Sequence, residues 1–481
     1  MSFRHLVFYG AVMILLGSSI AVTLKIGGEI TPPDTLSQTI ESANTLPGQA
    51  AVRPPDSLSL ETVTRIAAKN LNHPTPILLL QMIVIVSLAW LVGTLFKKMG
   101  QPSVMGEIVA GIILGPSLIG SMFPHFTQAL FPQSSMEILQ MFSQMGVILF
   151  MFIIGMELDV KLLRKTAGSA VIVSHASIII PFSLGMALAL PLFTRHAPQG
   201  VTFSAFSLFM GIAMSITAFP VLARVIRERN LSGTHLGTTA ITCAAVDDVT
   251  AWSILALIIS IVESESFAST VYTISFSVIF VLVMICLVKP LLNKFVEKDL
   301  REGTLEKSTI GLLLILVSGA LATECIGIHA IFGAFMAGII MPDSPKFREH
   351  LTHSLDMSAY FMIPLFFAFT GLRTHIGLLN DAASWMTFAA IMGVAILGKF
   401  GGSAVAAKFT GMNWPDSFAL GALMNTRGLV ELIVLNIGFD LGILSAKIFT
   451  MLVLMALLTT LMTGPALTLI SRFGVPDKGR L

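Results

Sequence analysis

The chain has 481 residues, of which 54% are hydrophobic and only 12% are charged. Soluble domains carry about 25% charged residues, so this composition excludes a soluble protein with one membrane anchor and indicates an all-α polytopic membrane protein. The net charge of +2 gives no support to a nucleic-acid partner, and three cysteines without a CxxC motif predict neither a disulfide framework nor a zinc site. We expect no cofactor.

The first 73 residues divide into two segments. Residues 1–25 contain a short apolar run that fits a signal peptide and an extra N-terminal transmembrane helix equally well. Residues 26–73 are polar and rich in Pro, Ser and Thr, and in both interpretations they form an extracytoplasmic linker. Residues 74–472 are the predicted transmembrane domain, and residues 473–481 are a short cytoplasmic tail.

Thirteen apolar spans follow, judged by a crossing length of about 20 residues. They cover approximately residues 76–96, 103–121, 136–157, 168–193, 203–223, 236–262, 270–292, 309–326, 328–342, 357–372, 385–407, 417–438 and 444–470. Every second connection is basic, with Lys97 and Lys98, then Lys161, Arg164 and Lys165, Arg224, Arg227 and Arg229, Lys294, Lys298 and Arg301, Lys346 and Arg348, Lys408, and finally Arg472, Lys478 and Arg480. By the positive-inside rule these connections are cytoplasmic, so the first span begins outside and the last ends inside.

The thirteen spans can be divided into a first half of six spans, a seventh span as linker, and a second half of six spans. Two pairs of segments then match between the halves. GEIVAGII at 106–113 matches GAFMAGII at 333–340, and FMFIIGMELDVKLL at 150–163 matches FFAFTGLRTHIGLL at 366–379. The loop charges orient the partners of each pair in opposite senses across the membrane. This pattern predicts an inverted-topology repeat, which is a feature of secondary transporters.

The fifth span of each half contains residues that interrupt a helix. SITAFPVLAR holds Pro220 beside Ser215 and Thr217, and MNTRGLVEL holds Arg427 and Glu431 in one polar stretch. Proline removes a backbone N–H and disfavours helix just before it. We predict two broken helices, whose exposed carbonyls and amides can bind ions in mid-membrane. Because Arg427 and Glu431 are four residues apart, we expect them to pair on one face and support the break.

Asp247 and Asp248 lie near the middle of the sixth span, and Lys399 lies in the middle of the eleventh. Each aspartate costs about 2.5–3.5 kcal/mol to insert at a helix centre, so a wet cavity or a partner charge is required. Adjacent residues point about 100° apart, so one carboxylate can face an ion path while the other faces a neighbouring helix. A lysine in lipid needs an acid nearby or loses its proton. We predict a site at which Asp248 binds a cation or a proton.

A hard monovalent cation takes oxygen ligands. The Asp248 carboxylate, Ser215, Thr217, freed carbonyls and water are the candidates for this site.

Six motifs together resemble the monovalent cation:proton antiporter family, which includes bacterial sodium/proton antiporters and plant-type cation/proton exchangers. They are VMGEIVAGIILGPSLIG, SITAFPVLARVIRE, AAVDDVTAW, IGIHAIFGAFMAGIIMP, FFAFTGLRT and MNTRGLVELIVLNIG. The resemblance covers about residues 76–470. It implies thirteen helices in a dimerisation domain and a core domain, two broken helices that cross near the site, elevator-type alternating access, and a homodimer in the bacterial inner membrane.

The same resemblance assigns roles to individual residues. It implies that Asp248 is the shared site for H⁺ and for Na⁺ or K⁺, and that Thr217 lies near the ion. Asp247 matches a position at which many electroneutral relatives carry Asn, and Lys399 matches the lysine that pairs with this first aspartate. An Asp-Asp pair with a lysine is typical of electrogenic exchangers.

Other functions remain open from the sequence. One alternative is a passive or gated K⁺ efflux pathway, but the chain contains no channel-type filter sequence such as TVGYG. A second alternative is an ion-coupled organic-anion symporter on a similar fold. An intramembrane aspartyl protease would carry YD and GxGD signals on two helices, and neither signal occurs. The sequence therefore favours a secondary antiporter over an enzyme or a channel.

Overall fold

A computed structural model of the protein describes residues 74–157, 169–231, 234–263, 267–302, 305–342 and 344–473. Every regular element within these ranges is helical. The predicted signal or extra helix at 1–25, the linker at 26–73 and residues 474–481 of the predicted tail lie outside the described residues.

Nineteen α-helices occur in the part of the chain that the structure describes. The first nine are α1 (Pro74–Lys98), α2 (Ser103–Leu114), α3 (Ile119–Met122), α4 (Pro124–Leu130), α5 (Gln133–Glu157), α6 (Ser169–His196), α7 (Phe203–Ser215), α8 (Phe219–Glu228) and α9 (His235–Glu263). The others are α10 (Phe267–Val283), α11 (Lys289–Glu302), α12 (Leu305–Ile326), α13 (Ala330–Ile339), α14 (Pro345–Leu372), α15 (Ala382–Ala395), α16 (Gly402–Phe409), α17 (Trp414–Met424), α18 (Leu429–Asp440) and α19 (Ala446–Phe473). Single π-helical segments join α10 to α11 and α15 to α16.

The helices form two groups that pack mainly within themselves. One consists of α1–α5 and α10–α14 and is called the scaffold group. The other consists of α6–α9 and α15–α19 and is called the site group, because it contains the five predicted charged residues. These five side chains are almost completely shielded from solvent, with Asp248 at 1% exposure and the other four at 0%, namely Asp247, Lys399, Arg427 and Glu431.

Ten helical segments among the described residues are long and apolar enough to cross a membrane. Three further predicted spans consist of shorter helices. Span 328–342 contains α13 with 10 residues, and the two interrupted spans contain α7 with 13 residues and α17 with 11. None of these three reaches the roughly 20 residues that a crossing helix needs, so the count of thirteen crossings stays a prediction.

Glycines allow α2 to meet α14, and α5 to meet α13, at very short distances. A Cβ atom on Gly371 of α14 would lie 2.7 Å from the carbonyl carbon of Gly111 on α2. A Cβ atom on Gly338 of α13 would lie 2.8 Å from the Cα of Gly155 on α5. Real Cβ atoms do not approach that closely, so backbone contact at these crossings requires glycine, as is common between membrane helices.

Substitution of Gly371 by Ala is therefore expected to destabilise the scaffold group by about 1–3 kcal/mol through overpacking. The matched control is Gly393→Ala in α15, where a Cβ would meet no atom within 4 Å and helix propensity favours Ala by up to about 1 kcal/mol. Thermal unfolding of the purified variants in detergent measures both effects. Equal unfolding temperatures for the two variants would contradict the close contact.

Candidate ion-binding site

Both predicted helix breaks occur, and the two broken segments touch. Residues 216–218 separate α7 from α8, and residues 425–428 separate α17 from α18. Pro220 stands in the first turn of α8, where its missing N–H is tolerated but cannot continue the helix from α7. The backbone N–H of Ala218 donates a hydrogen bond to the carbonyl of Thr426 at 2.9 Å. The two breaks therefore meet inside the site group, and we call this point of contact the crossing.

Arg427 stabilises the crossing. Its Nη1 and Nη2 donate to the carbonyls of Ala213 and Met214 at 2.8 and 2.7 Å, which are carbonyls that the end of α7 leaves without intrahelical partners. Nη1 also lies 3.0 Å from Glu431 Oε1, which confirms the predicted pair. Thr460 of α19 accepts from the Arg427 N–H at 2.8 Å and donates to its carbonyl at 2.7 Å. Arg427 is thus held from both sides and caps α7.

Asp247 accepts four hydrogen bonds. Ser174 Oγ donates to Oδ1 at 2.5 Å, whereas Ser177 Oγ and Thr217 Oγ1 donate to Oδ2 at 2.8 and 2.7 Å. Lys399 Nζ lies 3.0 Å from Oδ2, and both side chains of this ion pair are 0% exposed. A buried carboxylate costs several kcal/mol unless charge and hydrogen bonds compensate it, and here three hydroxyls and an ammonium do so.

Lys399 lies in the π-helical segment Ile396–Gly401, a local widening of a helix that is frequent at functional sites. Its Nζ donates to Asp247 Oδ2 at 3.0 Å, to the Ser177 carbonyl at 2.9 Å and to the Ser215 carbonyl at 2.5 Å. An ammonium has three N–H donors, and these three acceptors use all of them. The surroundings of Lys399 therefore suit its charged form.

Asp248 is buried like its neighbour Asp247, but its hydrogen bonding differs. It is 1% exposed, and neither carboxylate oxygen accepts a hydrogen bond from any residue that the structure describes. Such a group requires a proton, a cation or water to balance it. The two adjacent carboxylates point to different surroundings, as expected for neighbouring helix positions.

The hydroxyls of the two predicted cation ligands are engaged within the protein. Ser215 Oγ donates to the carbonyl of Gly211 at 2.7 Å, one turn back in α7. Thr217 Oγ1 lies 2.7 Å from Asp247 Oδ2 and 3.1 Å from the carbonyl of Met424. A hydroxyl that donates its single proton keeps lone pairs that can face a cation.

Sequence reasoning missed Ser174, Ser177 and Thr460. Ser174 and Ser177 are three residues apart in the apolar helix α6, a spacing that places both on one face toward Asp247. This pair of serines on one face of an apolar helix was the sequence feature that could have predicted their contact with a buried charge. Thr460 is one of several threonines in α19, and nothing in its local sequence distinguishes it.

A family model described as "Sodium/hydrogen exchanger, transmembrane" matches residues 83–472. The chain belongs to the sodium/hydrogen exchanger family. The chain is 40% identical over 392 residues to the Na(+)/H(+) antiporter NhaS4 of Synechocystis sp., and the match covers 81% of this chain and 96% of that protein. It is 35% identical over 412 residues to K(+)/H(+) antiporter 1 of Saccharomyces cerevisiae, with 83% of this chain and 47% of the relative covered.

The chain thus spans nearly all of the Synechocystis relative and about half of the yeast protein. The solved structure of the sodium proton antiporter MjNhaP1 from Methanocaldococcus jannaschii matches it with a TM-score of 0.60 at 13% identity, over 88% of this chain and 100% of that chain. At this identity the likeness shows the fold alone.

Family members are transporters, so this chain is a multi-pass membrane transporter and not an enzyme. The predicted location in a bacterial inner membrane is consistent with the Synechocystis relative.

Proposed function

We propose that the protein exchanges a monovalent cation, Na⁺ or K⁺, for H⁺, and that Asp248 binds the two in turn. The observation that carries this proposal is the contrast between two adjacent buried carboxylates. Asp247 accepts four hydrogen bonds, whereas no donor among the described residues reaches Asp248. The relatives named as Na(+)/H(+) and K(+)/H(+) antiporters support this substrate class.

The single negative charge of Asp248 explains exchange if this carboxylate binds one ion at a time. A bound proton neutralises its carboxylate, and a monovalent cation balances it. Binding both would add a positive charge to a buried region that already holds Lys399, which makes double occupancy unfavourable. Arrival of one ion therefore displaces the other. Movement of the charged carboxylate through an apolar barrier with no ion bound is unfavourable.

Oxygen atoms at the crossing are the proposed partners of Asp248 in the cation site. The lone pairs of Thr217 Oγ1 and Ser215 Oγ, backbone carbonyls near the breaks, and water supply the hard ligands that a monovalent cation takes. Asp247 and Lys399 are proposed as a fixed ion pair that shapes the site.

We propose that transport proceeds by movement of the site group relative to the scaffold group. The groups are joined at their predicted outer end, where Arg373 after α14 donates to Asp440 of α18 at 2.7 Å. Asn436 of α18 also donates to Thr370 of α14 at 2.8 Å. These polar contacts cross the boundary between the groups, and a sliding motion would have to break them.

The glycine contacts support the predicted inverted repeat. The offsets between matched segments, 227 and 216 residues, relate Gly111 to Gly338 and Gly155 to Gly371. Gly111 meets Gly371, and Gly338 meets Gly155, so exchanging the two halves of the chain exchanges one contact for the other. A repeat with a pseudo-two-fold relation predicts this reciprocity. The complete repeat, the homodimer and the extent of the transmembrane domain at 74–472 stay predictions.

A cross-link between the groups is expected to stop exchange. Gln140 Nε2 of α5 lies 3.3 Å from Asp440 Oδ2 of α18, so Cys at both positions can be joined by a short thiosulfonate reagent. We expect exchange to fall to background and to return after reduction, because the reagent holds the two groups in one relation. Cys286 and Cys325, which are exposed, are replaced by Ser throughout.

The matched pair is Asp381 and Lys447, whose side chains lie 3.6 Å apart within the site group. A cross-link there is expected to leave exchange intact, since both ends move together. Full exchange with Gln140 and Asp440 joined would exclude relative movement of the groups.

The direct test of function is cation-dependent dequenching of a pH dye in proteoliposomes, across Li⁺, Na⁺, K⁺ and Rb⁺, with and without clamped voltage. Antiport predicts proton movement that depends on the cation. A current without proton movement would instead indicate a channel, and uptake of an organic anion a symporter. A rate that does not respond to voltage would exclude electrogenic exchange.

A further inference from the structure

A polar cavity lies away from the candidate ion site, at the predicted cytoplasmic side. It has a volume of about 430 Å³. One wall is the loop at residues 99–101 between α1 and α2 of the scaffold group. The other wall comes from the end of α8 and the last turns of α19 in the site group, and it contains Arg229, Thr468 and Arg472. The cavity therefore lies between the two groups.

The lining of this cavity is positively charged. Among the described residues that line it, the charged side chains are the guanidinium groups of Arg229 and Arg472, and none is acidic. Thr468 and Gln101 add a hydroxyl and an amide that can donate hydrogen bonds. Two guanidinium groups beside neutral donors form an environment that favours an anion.

Arg229 is held in place rather than free in solvent. Its Nη1 donates to Thr468 Oγ1 at 2.9 Å, and its Nη2 donates to the carbonyl of Gly464 at 3.0 Å. A guanidinium has five N–H donors, and these two contacts with described residues use two of them. Gly464 makes room for this arrangement, because a Cβ there would lie 3.2 Å from Arg229 Nη2. The donor is thus preorganised by α19.

We propose that this cavity binds a phosphoryl group, carried either by a membrane lipid or by a soluble phosphate compound. Guanidinium groups match phosphate oxygens with paired, charge-assisted hydrogen bonds, and this planar geometry suits phosphate better than a spherical anion. The predicted orientation places the cavity at the cytoplasmic membrane boundary, within reach of both sources.

A bound phosphoryl group would contact both helix groups and hold them in one relation. Slower exchange in the presence of the ligand is the consequence, and this consequence alone rests on the proposed function. Binding of the phosphoryl group does not depend on whether the protein transports any ion, so phosphoryl binding and ion exchange can be disproved separately.

The test measures thermal unfolding of the full chain purified in detergent, because a ligand of the folded state raises the unfolding temperature. The probes are inorganic phosphate against chloride at equal ionic strength, and phosphatidylglycerol against phosphatidylcholine. We expect one probe to stabilise the protein. In Arg472→Gln the half-effective concentration should rise about tenfold, the scale of one lost charge-assisted contact.

Arg472 is exposed, so its substitution is not expected to unfold the protein. Lys98→Gln is the control, because it removes one exposed positive charge from the same side without lining the cavity.

Stabilisation by inorganic phosphate would identify a soluble compound as the source, and stabilisation by the lipid alone would identify a headgroup. The proposal is overturned if neither probe stabilises the protein, if Arg472→Gln responds like the unmodified chain, or if Lys98→Gln weakens the response equally.

Discussion

Replacing Asp248 with Asn is expected to reduce cation-dependent proton movement in proteoliposomes to the rate of protein-free vesicles. Asn has nearly the same size as Asp, but it carries no charge and cannot take and release a proton. If Asp248 is the place where a cation and a proton alternate, the amide removes both functions at once. Fluorescence recovery of an enclosed pH dye after addition of Na⁺ or K⁺ measures the loss.

Folding should not suffer in this variant. No described residue donates a hydrogen bond to Asp248, so the amide breaks no protein contact, and removal of a buried charge is expected to leave the unfolding temperature equal or higher. Asp416→Asn in the first turn of α17 changes an aspartate outside the site in the same way, and its exchange rate should match the unmodified protein. Normal exchange in the Asp248→Asn variant would disprove the assignment.

Replacing Arg427 with Met is expected to destabilise the protein by about 3–5 kcal/mol, the cost of leaving a buried partner charge uncompensated. Arg427 is 0% exposed, pairs with Glu431 at 3.0 Å, and caps the carbonyls of Ala213 and Met214. All three partners lose their donor together. Thermal unfolding in detergent measures the change.

Two further variants separate the contributions. Arg427→Met combined with Glu431→Gln should recover part of the stability, since the unpaired carboxylate is removed while the carbonyls of α7 stay without a donor. Arg195→Met, which removes an exposed arginine in the last turn of α6, should cost at most about 1 kcal/mol. An Arg427→Met variant as stable as Arg195→Met would show that the guanidinium does not hold the crossing.

Hydropathy predicted much of the architecture because a membrane restricts the choice of backbone structure. Apolar segments must form helices there, and the residues that interrupt these helices can be recognised in the sequence. Pro220 and the polar stretch around Arg427 indicated the two breaks, and the structure has both. Hydropathy could not count crossings, because α7, α13 and α17 are too short to cross alone.

The candidate site was less accessible to sequence reasoning. Buried charge made Asp247, Asp248, Lys399 and the Arg427–Glu431 pair conspicuous, since each is costly in an apolar helix. Their partners could not be recognised, because serine, threonine and backbone carbonyls cost little in an apolar helix and occur throughout the chain.

The sequence by itself determined that this is a polytopic helical membrane protein with two interrupted helices and a few buried charges that require partners. Only the tertiary structure decided which atoms those partners are. Ser177 lies 222 residues from Lys399, and Ala213 lies 214 residues from Arg427. Contacts over such separations depend on how whole helices pack, which local propensity and spacing do not specify. The same packing gives Asp247 four donors and Asp248 none among the described residues, although the two are neighbours in the chain.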